Sequence, residues 1–346
     1  MNHIRTFIEN VGWPRVIIGL FLLLLFILAP FVGIRLDTSL SDTFVRVGMN
    51  GVLVLAMVPM IQSGCGLNFG LPLGIIAGLL GATTSIQSGL TGMSGFALAL
   101  SVAVPLGLLL GFLYAQVLNR VKGEEMMIAT YVGFSSVALM CIAWLLLPFR
   151  SPVMIWGYGG SGLRTTITTE GFWRHVLSDF LHLRIGNFYF PTGMFLFFGL
   201  MLLLVWAFFR TKTGTAMTAV GSNPEFARAS GIDVDRMRTI SVMFSTMLGA
   251  IGILVYQQSF GFIQLYMAPL YMAFPAVAAI LLGGASVNKA SILNVVVGTF
   301  LFQGILTMTP SVINGWLRTD MSEVIRIIVS NGMILYALTR KTQVKR

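Results

Sequence analysis

The chain has 346 residues, 56% hydrophobic and only 10% charged, with a mean hydropathy of +0.87 and a net charge of +10. Soluble domains average about 25% charged residues, so the composition excludes a soluble enzyme or binding module and defines an all-α polytopic membrane protein. The excess of Lys and Arg has no aromatic-interleaved groove behind it. It reads as a topology signal and as attraction to the anionic headgroups of a lipid bilayer, with no nucleic-acid partner.

Uncharged runs, measured against the roughly 20 apolar residues that cross a bilayer, predict ten spans. The first, 16–34, follows Arg5 and Arg15. It is too long for a signal-peptide core and no A-x-A site follows, so it is read as retained. Residues 47–119 contain no charge or histidine, which suits three spans at about 44–61, 71–88 and 95–118. Within them Gly66, Gly70, Gly74 and Gly78 recur every four residues, a spacing that stacks glycines on one helical face for close packing against a neighbour. Pro72 interrupts this stripe and places Asn68 at a predicted break, which reads either as a tight crossing with one satisfied Asn or as a wall of a solute path. Cys65 falls in the uncharged 47–119 run and Cys141 in the fifth predicted span, both read as small packing residues and not as a metal or disulfide pair.

Residues 126–148 give the fifth span, and 148–189 form a long external loop. In it His175, Asp179 and His182 share one helical face while Trp173, Val176, Leu177, Phe180 and Leu181 share the other, predicting an amphipathic helix on the membrane surface with no metal site. Gly157, Gly159 and Gly162 satisfy G-x-G-x-x-G, but the predicted context is a loop without a preceding strand or following helix, so no nucleotide cofactor is expected there. The remaining spans are 190–209, 240–258, 271–287, 291–308 and 321–339. The last carries Arg326, with Glu323 one turn before it as its pairing partner.

Between the sixth and seventh spans, residues 210–238 carry five Lys/Arg and three Asp/Glu, a polar island that must serve a partner. Its middle predicts a short helix: Ser222 or Asn223 can cap it, Pro224 suits the first helical position, Glu225 faces the positive end of the dipole, and Gly231 can close it. So short a helix needs something to pack on. With both termini and this loop inside, fourteen Lys/Arg fall on the cytoplasmic side and seven on the other, four of those in the long 150–184 loop.

The sequence 213–232, TGTAMTAVGSNPEFARASGI, resembles the cytoplasmic coupling helix of ABC-importer permeases of the branched-chain amino acid, simple sugar and nucleoside family. It matches that helix in Gly214, Ala216, Gly221, Asn223, Pro224, Ala227, Arg228 and Gly231. Residues 274–286, FPAVAAILLGGAS, are similar to a second family helix, with Gly283 and Gly284 at its end. Gly64, Gly66 and Gly70 resemble the family's broken Gly-rich helix, although the acidic position of sugar-type members is missing and Asn68 is the nearest polar residue. The resemblance implies a type II ABC importer-like permease. Its coupling residues would be Gly214, Ser222, Asn223, Pro224, Glu225, Ala227, Arg228 and Gly231, with Ala227 expected on the face packed against the ATPase. The partners it implies are ABC ATPase subunits, a second identical or related permease subunit and an extracytoplasmic substrate-binding protein.

No G-x-x-x-x-G-K-[ST] loop occurs, so ATP hydrolysis is expected on a separate subunit and not on this chain. Spans one to nine hold no mid-membrane carboxylate of the kind proton- or sodium-coupled carriers use, which favours an ATP-driven importer of a neutral polar solute over the alternative, a secondary transporter or channel. The intramembrane polar residues Gln62, Asn68, Gln257, Gln258 and Gln303 are the candidates for the solute path.

Overall fold

Residues 13–155, 162–317 and 321–339 are described by a computed structural model of the chain. Helix α1 (Trp13–Leu28) runs into a 3₁₀ turn (Ala29–Val32) closed by Gly33 at φ +80°. Helices α2 (Leu36–Leu55) and α3 (Met57–Gln62) form one bent rod, where Pro59 supplies no N–H to the preceding turn. After an irregular segment, 63–70, come α4 (Leu71–Ser88), α5 (Gly92–Arg120) and α6 (Glu125–Leu146).

Three short strands follow: β1 (Thr166–Thr168), β2 (Leu183–Ile185) and β3 (Phe188–Phe190). Helix α7 (Thr192–Arg210) leads into α8 (Lys212–Ser222) and α9 (Pro224–Ala229), and α10 (Val234–Phe260) returns to strand β4 (Phe262–Gln264). Helices α11 (Ala268–Leu282), α12 (Ile292–Leu317) and α13 (Ser322–Thr339) complete the described chain. Among the described residues eight helices are long and apolar enough to cross a membrane, and the protein is an all-α polytopic membrane protein.

Helix α10 is the centre. It packs on α2, α4 and α5, while α1 and α6 lie at the periphery with most of their surface open. Glycine sets the spacing. A Cβ on Gly74 or Gly78 of α4 would lie 2.4 Å from the Thr246 carbonyl oxygen or 2.6 Å from that of Ala250, and Gly107 and Gly111 of α5 meet the Met247 and Met243 backbone from the other side. Close approach of this kind is how helices associate where lipid is as apolar as the side chains. The four-residue stripe therefore divides in the structure: Gly74 and Gly78 form a packing face, whereas Gly66 (φ +79°) and Gly70 lie in the break that precedes Pro72.

The amphipathic helix expected in the external segment does not form, and residues 171–182 run as turns. His175 and Leu181 take φ values of +57° and +51°. The reason is tertiary competition for the backbone donors. His175 N–H donates to the Gln258 carbonyl (2.7 Å) at the end of α10, and Leu177 N–H donates to the Gln258 side-chain oxygen (3.2 Å). One local turn survives, with Asp179 N–H on the His175 carbonyl and His182 Nδ1 beside the Asp179 carbonyl. Among the described residues no group of three His, Cys, Asp or Glu is placed to hold a metal. Gly157 and Gly159 lie outside the described residues. Gly162 packs against Leu145 and is followed by β1, which pairs antiparallel with β4 through Ile167 and Ile263.

Candidate functional site

The polar island folds as a corner of two helices hung between α7 and α10. Thr211 caps α8 by accepting from Gly214 N–H at 3.2 Å, and Gly214 is buried because a Cβ there would lie 2.2 Å from the Phe208 carbonyl oxygen. Asn223 Oδ1 accepts from Phe226 N–H at 2.9 Å, so Asn223 caps α9, with Pro224 at its first turn, whereas Ser222 ends α8. At the other end Gly231, at φ +80°, donates to the Arg228 carbonyl, and Ile232 N–H reaches the Ala227 carbonyl. Each cap satisfies groups that so short a helix would otherwise leave open.

The faces of α9 are the reverse of the sequence expectation at one position. Ala227, expected to meet a partner subunit, is fully buried against Val220 and Val234 of this chain, because α9 needs an apolar anchor on its own fold. Glu225 and Arg228 are exposed, and between them Phe226 is 68% exposed. Phe226 is the single aromatic residue of 210–238, a signal the sequence reading passed over.

The corner rests directly on the broken segment. A Cβ on Gly221, near the end of α8, would lie 2.1 Å from the Gln62 carbonyl oxygen, and one on Gly64 (φ +77°) would lie 3.1 Å from the Gly221 Cα. Two glycines thus let the backbones of α8 and the break touch. Gln62 Nε2 donates to the Ala290 carbonyl, Ser63 Oγ lies 2.7 Å from Ser241 Oγ, and Asn68 Nδ2 donates to Ser245 Oγ at 2.7 Å. Ser245 Oγ donates in turn to the Ala56 carbonyl at 2.5 Å, and Tyr114 OH lies 3.5 Å from Asn68 Oδ1. Beside this layer Arg238 of α10 pairs with Glu125 of α6 at 2.5 Å, their side chains 10% and 15% exposed.

The five polar path candidates are not brought together. Asn68 is fully buried in the hydrogen-bonded layer just described, the satisfied-Asn alternative in this conformation. Gln258 is equally buried and holds the external segment through Leu177 N–H and Ser178. Gln257 is buried with no partner on either amide atom among the described residues, Gln303 is buried on α12, and Gln62 is half-buried at the end of α3. None of the five lines the cleft beside α13. That cleft, of about 700 Å³, opens between α11 and α13 and is lined by Phe134, Tyr271, Phe274, Arg326, Ser330 and Asn331 among others.

Residues 39–337 match the family described as the branched-chain amino acid transport system permease component. The chain belongs to this family of permeases. A stretch of 157 residues is 29% identical to the Autoinducer 2 import system permease protein LsrC of Enterobacter sp. (strain 638), covering 43% of this chain and 45% of that relative. The match thus spans under half of the relative's length. No solved structure matches the chain. In this permease, then, the sequence located α9 and the break, and it missed α8, Phe226 and the cleft. Arg326 was legible as a charge in a span, but Tyr271, Phe274 and Asn331 join it through packing that no spacing in the sequence shows.

Proposed function

We propose that this permease is the membrane-spanning subunit of an ATP-driven importer for a small, neutral, sugar-like polar solute delivered by an extracytoplasmic binding protein. It pairs with a second permease subunit and takes its energy from separate ATPase subunits docked on α9. The carrying observation is that α9 is capped at both ends, anchored to its own chain by buried Ala227, and presents Phe226 outward between Glu225 and Arg228. An exposed aromatic flanked by charges is the composition of an interface anchor. The excess of Lys and Arg on the α8–α9 side supports a cytoplasmic corner, where ATP is available.

Ten crossings with both termini cytoplasmic complete the reading. Besides the eight long helices, α11 and α13 would cross. At 1.5 Å per residue the 15 residues of α11 reach about 22 Å, short of the roughly 30 Å hydrocarbon layer. An irregular segment continues it, with Gly283 buried and Gly284 and Ala285 half-buried, and non-helical backbone is tolerated at depth where protein covers it. ATP binding would move α9 and, through the Gly221–Gly64 contact, the break that separates α3 from α4.

The test is copurification of the ATPase subunit expressed with the permease. The Phe226→Glu variant should insert and remain monodisperse yet lose both the ATPase and solute uptake. Normal ATPase recovery with unchanged uptake would reject the docking assignment and return the secondary-transporter reading.

A further inference from the structure

Resting on the importer reading, we propose that the cleft between α11 and α13 is the solute-contact surface of the permease. Arg326, Ser330, Asn331 and Tyr271 would bind a neutral, hydroxyl-rich ring against the Phe134–Phe274 wall. The inference begins with α13. Glu323, Arg326 and Ser330 follow one another at i, i+3 and i+7 and share a helical face, while Val324, Ile328 and Leu335 lie on another face and are exposed. A guanidinium one turn inside a membrane helix is not left facing hydrocarbon; it faces protein or water. The face that bears it is the one that lines the cleft, so the cleft is the wetted side of α13 and the Val324–Leu335 side meets lipid.

The lining is of two kinds. Phe134 of α6 and Phe274 of α11 lie with ring centroids 6.5 Å apart and planes tilted by 39°, and Phe69 backs Phe274 at 5.9 Å, giving an apolar aromatic wall. Tyr271, 68% exposed, stands one turn nearer the external end, and Arg326, Ser330 and Asn331 face the wall from α13. A pyranose or furanose ring has this division, C–H groups on its faces and hydroxyls around its edge, and the guanidinium fork, amide and hydroxyls together donate to and accept from vicinal hydroxyls.

Charge narrows the class. Arg326 is ion-paired with Glu323 one turn away, so the cleft carries a donor array without a net positive charge. A phosphate or carboxylate would compete with Glu323 for the guanidinium's charge, whereas a neutral polyol accepts from its remaining N–H groups with the ion pair intact. An open cleft lined from α6, α11 and α13 also suits a site completed by the second permease.

The experiment places Ser330→Cys in a Cys141→Ser background, where the remaining Cys65 is buried, and labels intact cells with a membrane-impermeant maleimide. Labelling should occur, and one member of a panel of neutral pentoses, hexoses and alditols should slow it about tenfold at roughly ten times its Kd. Ribose 5-phosphate and leucine should not slow it. Adding Arg326→Gln should keep the labelling and abolish the protection. The proposal is overturned if Ser330→Cys is unlabelled in intact cells, if no neutral member protects, if only the phosphorylated sugar protects, or if protection survives Arg326→Gln. ATPase copurification separates the two readings. ATPase retained by a Ser330→Cys permease that no neutral solute protects sinks the cleft alone, while failure of the unsubstituted permease to hold an ATPase sinks the importer reading.

Discussion

Two neighbouring residues on α9, Phe226 and Ala227, show how one position decides a role. A sequence match marks Ala227, but small residues in such matches are often retained for packing inside the fold, and here the methyl sits between Val220 and Val234. Ala227→Glu should therefore damage the permease itself: an unpaired carboxylate buried in that pocket costs several kcal/mol and should detach α9 from α8 and α10. Limited proteolysis between 222 and 232 would read this as faster nicking, and unchanged resistance would contradict the packing. Phe226→Ala, by contrast, removes an exposed ring. It should leave proteolysis unchanged while weakening the ATPase by about 2 kcal/mol or more, roughly thirtyfold, as truncation of an aromatic interface anchor does. Titration of detergent-solubilised permease with the purified ATPase measures it.

At the scale of elements, glycine makes the difference between contact and collision. Gly74→Ala puts a Cβ 2.4 Å from the Thr246 carbonyl, so α4 and α10 must separate, at a cost of about 1–3 kcal/mol. Gly199, in the middle of α7, has no atom within 4 Å of the same construction, and Gly199→Ala should instead add about 0.5–1 kcal/mol by restricting the unfolded chain. Thermal melting in one detergent should move the two variants in opposite directions; a shared direction would refute the packing account. The Gly221–Gly64 junction makes a functional prediction of the same kind. Gly221→Ala forces α8 off the Gln62 carbonyl, so it should abolish uptake while leaving ATPase copurification intact, since Phe226 is untouched. The amphipathic period over 173–182 failed at this scale because hydrogen bonds to Gln258 outbid a local helix, and hydrophobic period does not report such long-range partners.

For the whole molecule, orientation and the tie between α6 and α10 are the testable matters. Exposed Ser230 and Thr165 lie on opposite sides in the proposed topology. In intact cells an impermeant reagent should label Thr165→Cys and spare Ser230→Cys, and the reverse pattern would invert the permease. Glu125 and Arg238 join α6 to α10 close to where α10 leaves the coupling corner. Glu125→Gln leaves the guanidinium without its counter-charge in a poorly hydrated setting, which costs about 3–5 kcal/mol when a buried pair loses one partner. A clear fall in melting temperature is expected, and an unchanged one would show that solvent reaches the pair.

Composition by itself determined the class and the approximate places of the long helices, because crossing a bilayer demands about 20 apolar residues and leaves little latitude. Caps are equally local, so Asn223, Pro224 and Gly231 placed α9 from a few adjacent residues. Only the tertiary structure decided which side of α9 is free, whether Asn68 is satisfied, and which polar residues share a cleft. Within a membrane nearly every helix is apolar all round, so hydropathy carries no record of which face meets lipid and which meets another helix. That choice rests on which backbones approach each other, and here glycines on α4, α5 and α8, far apart in sequence, make it together.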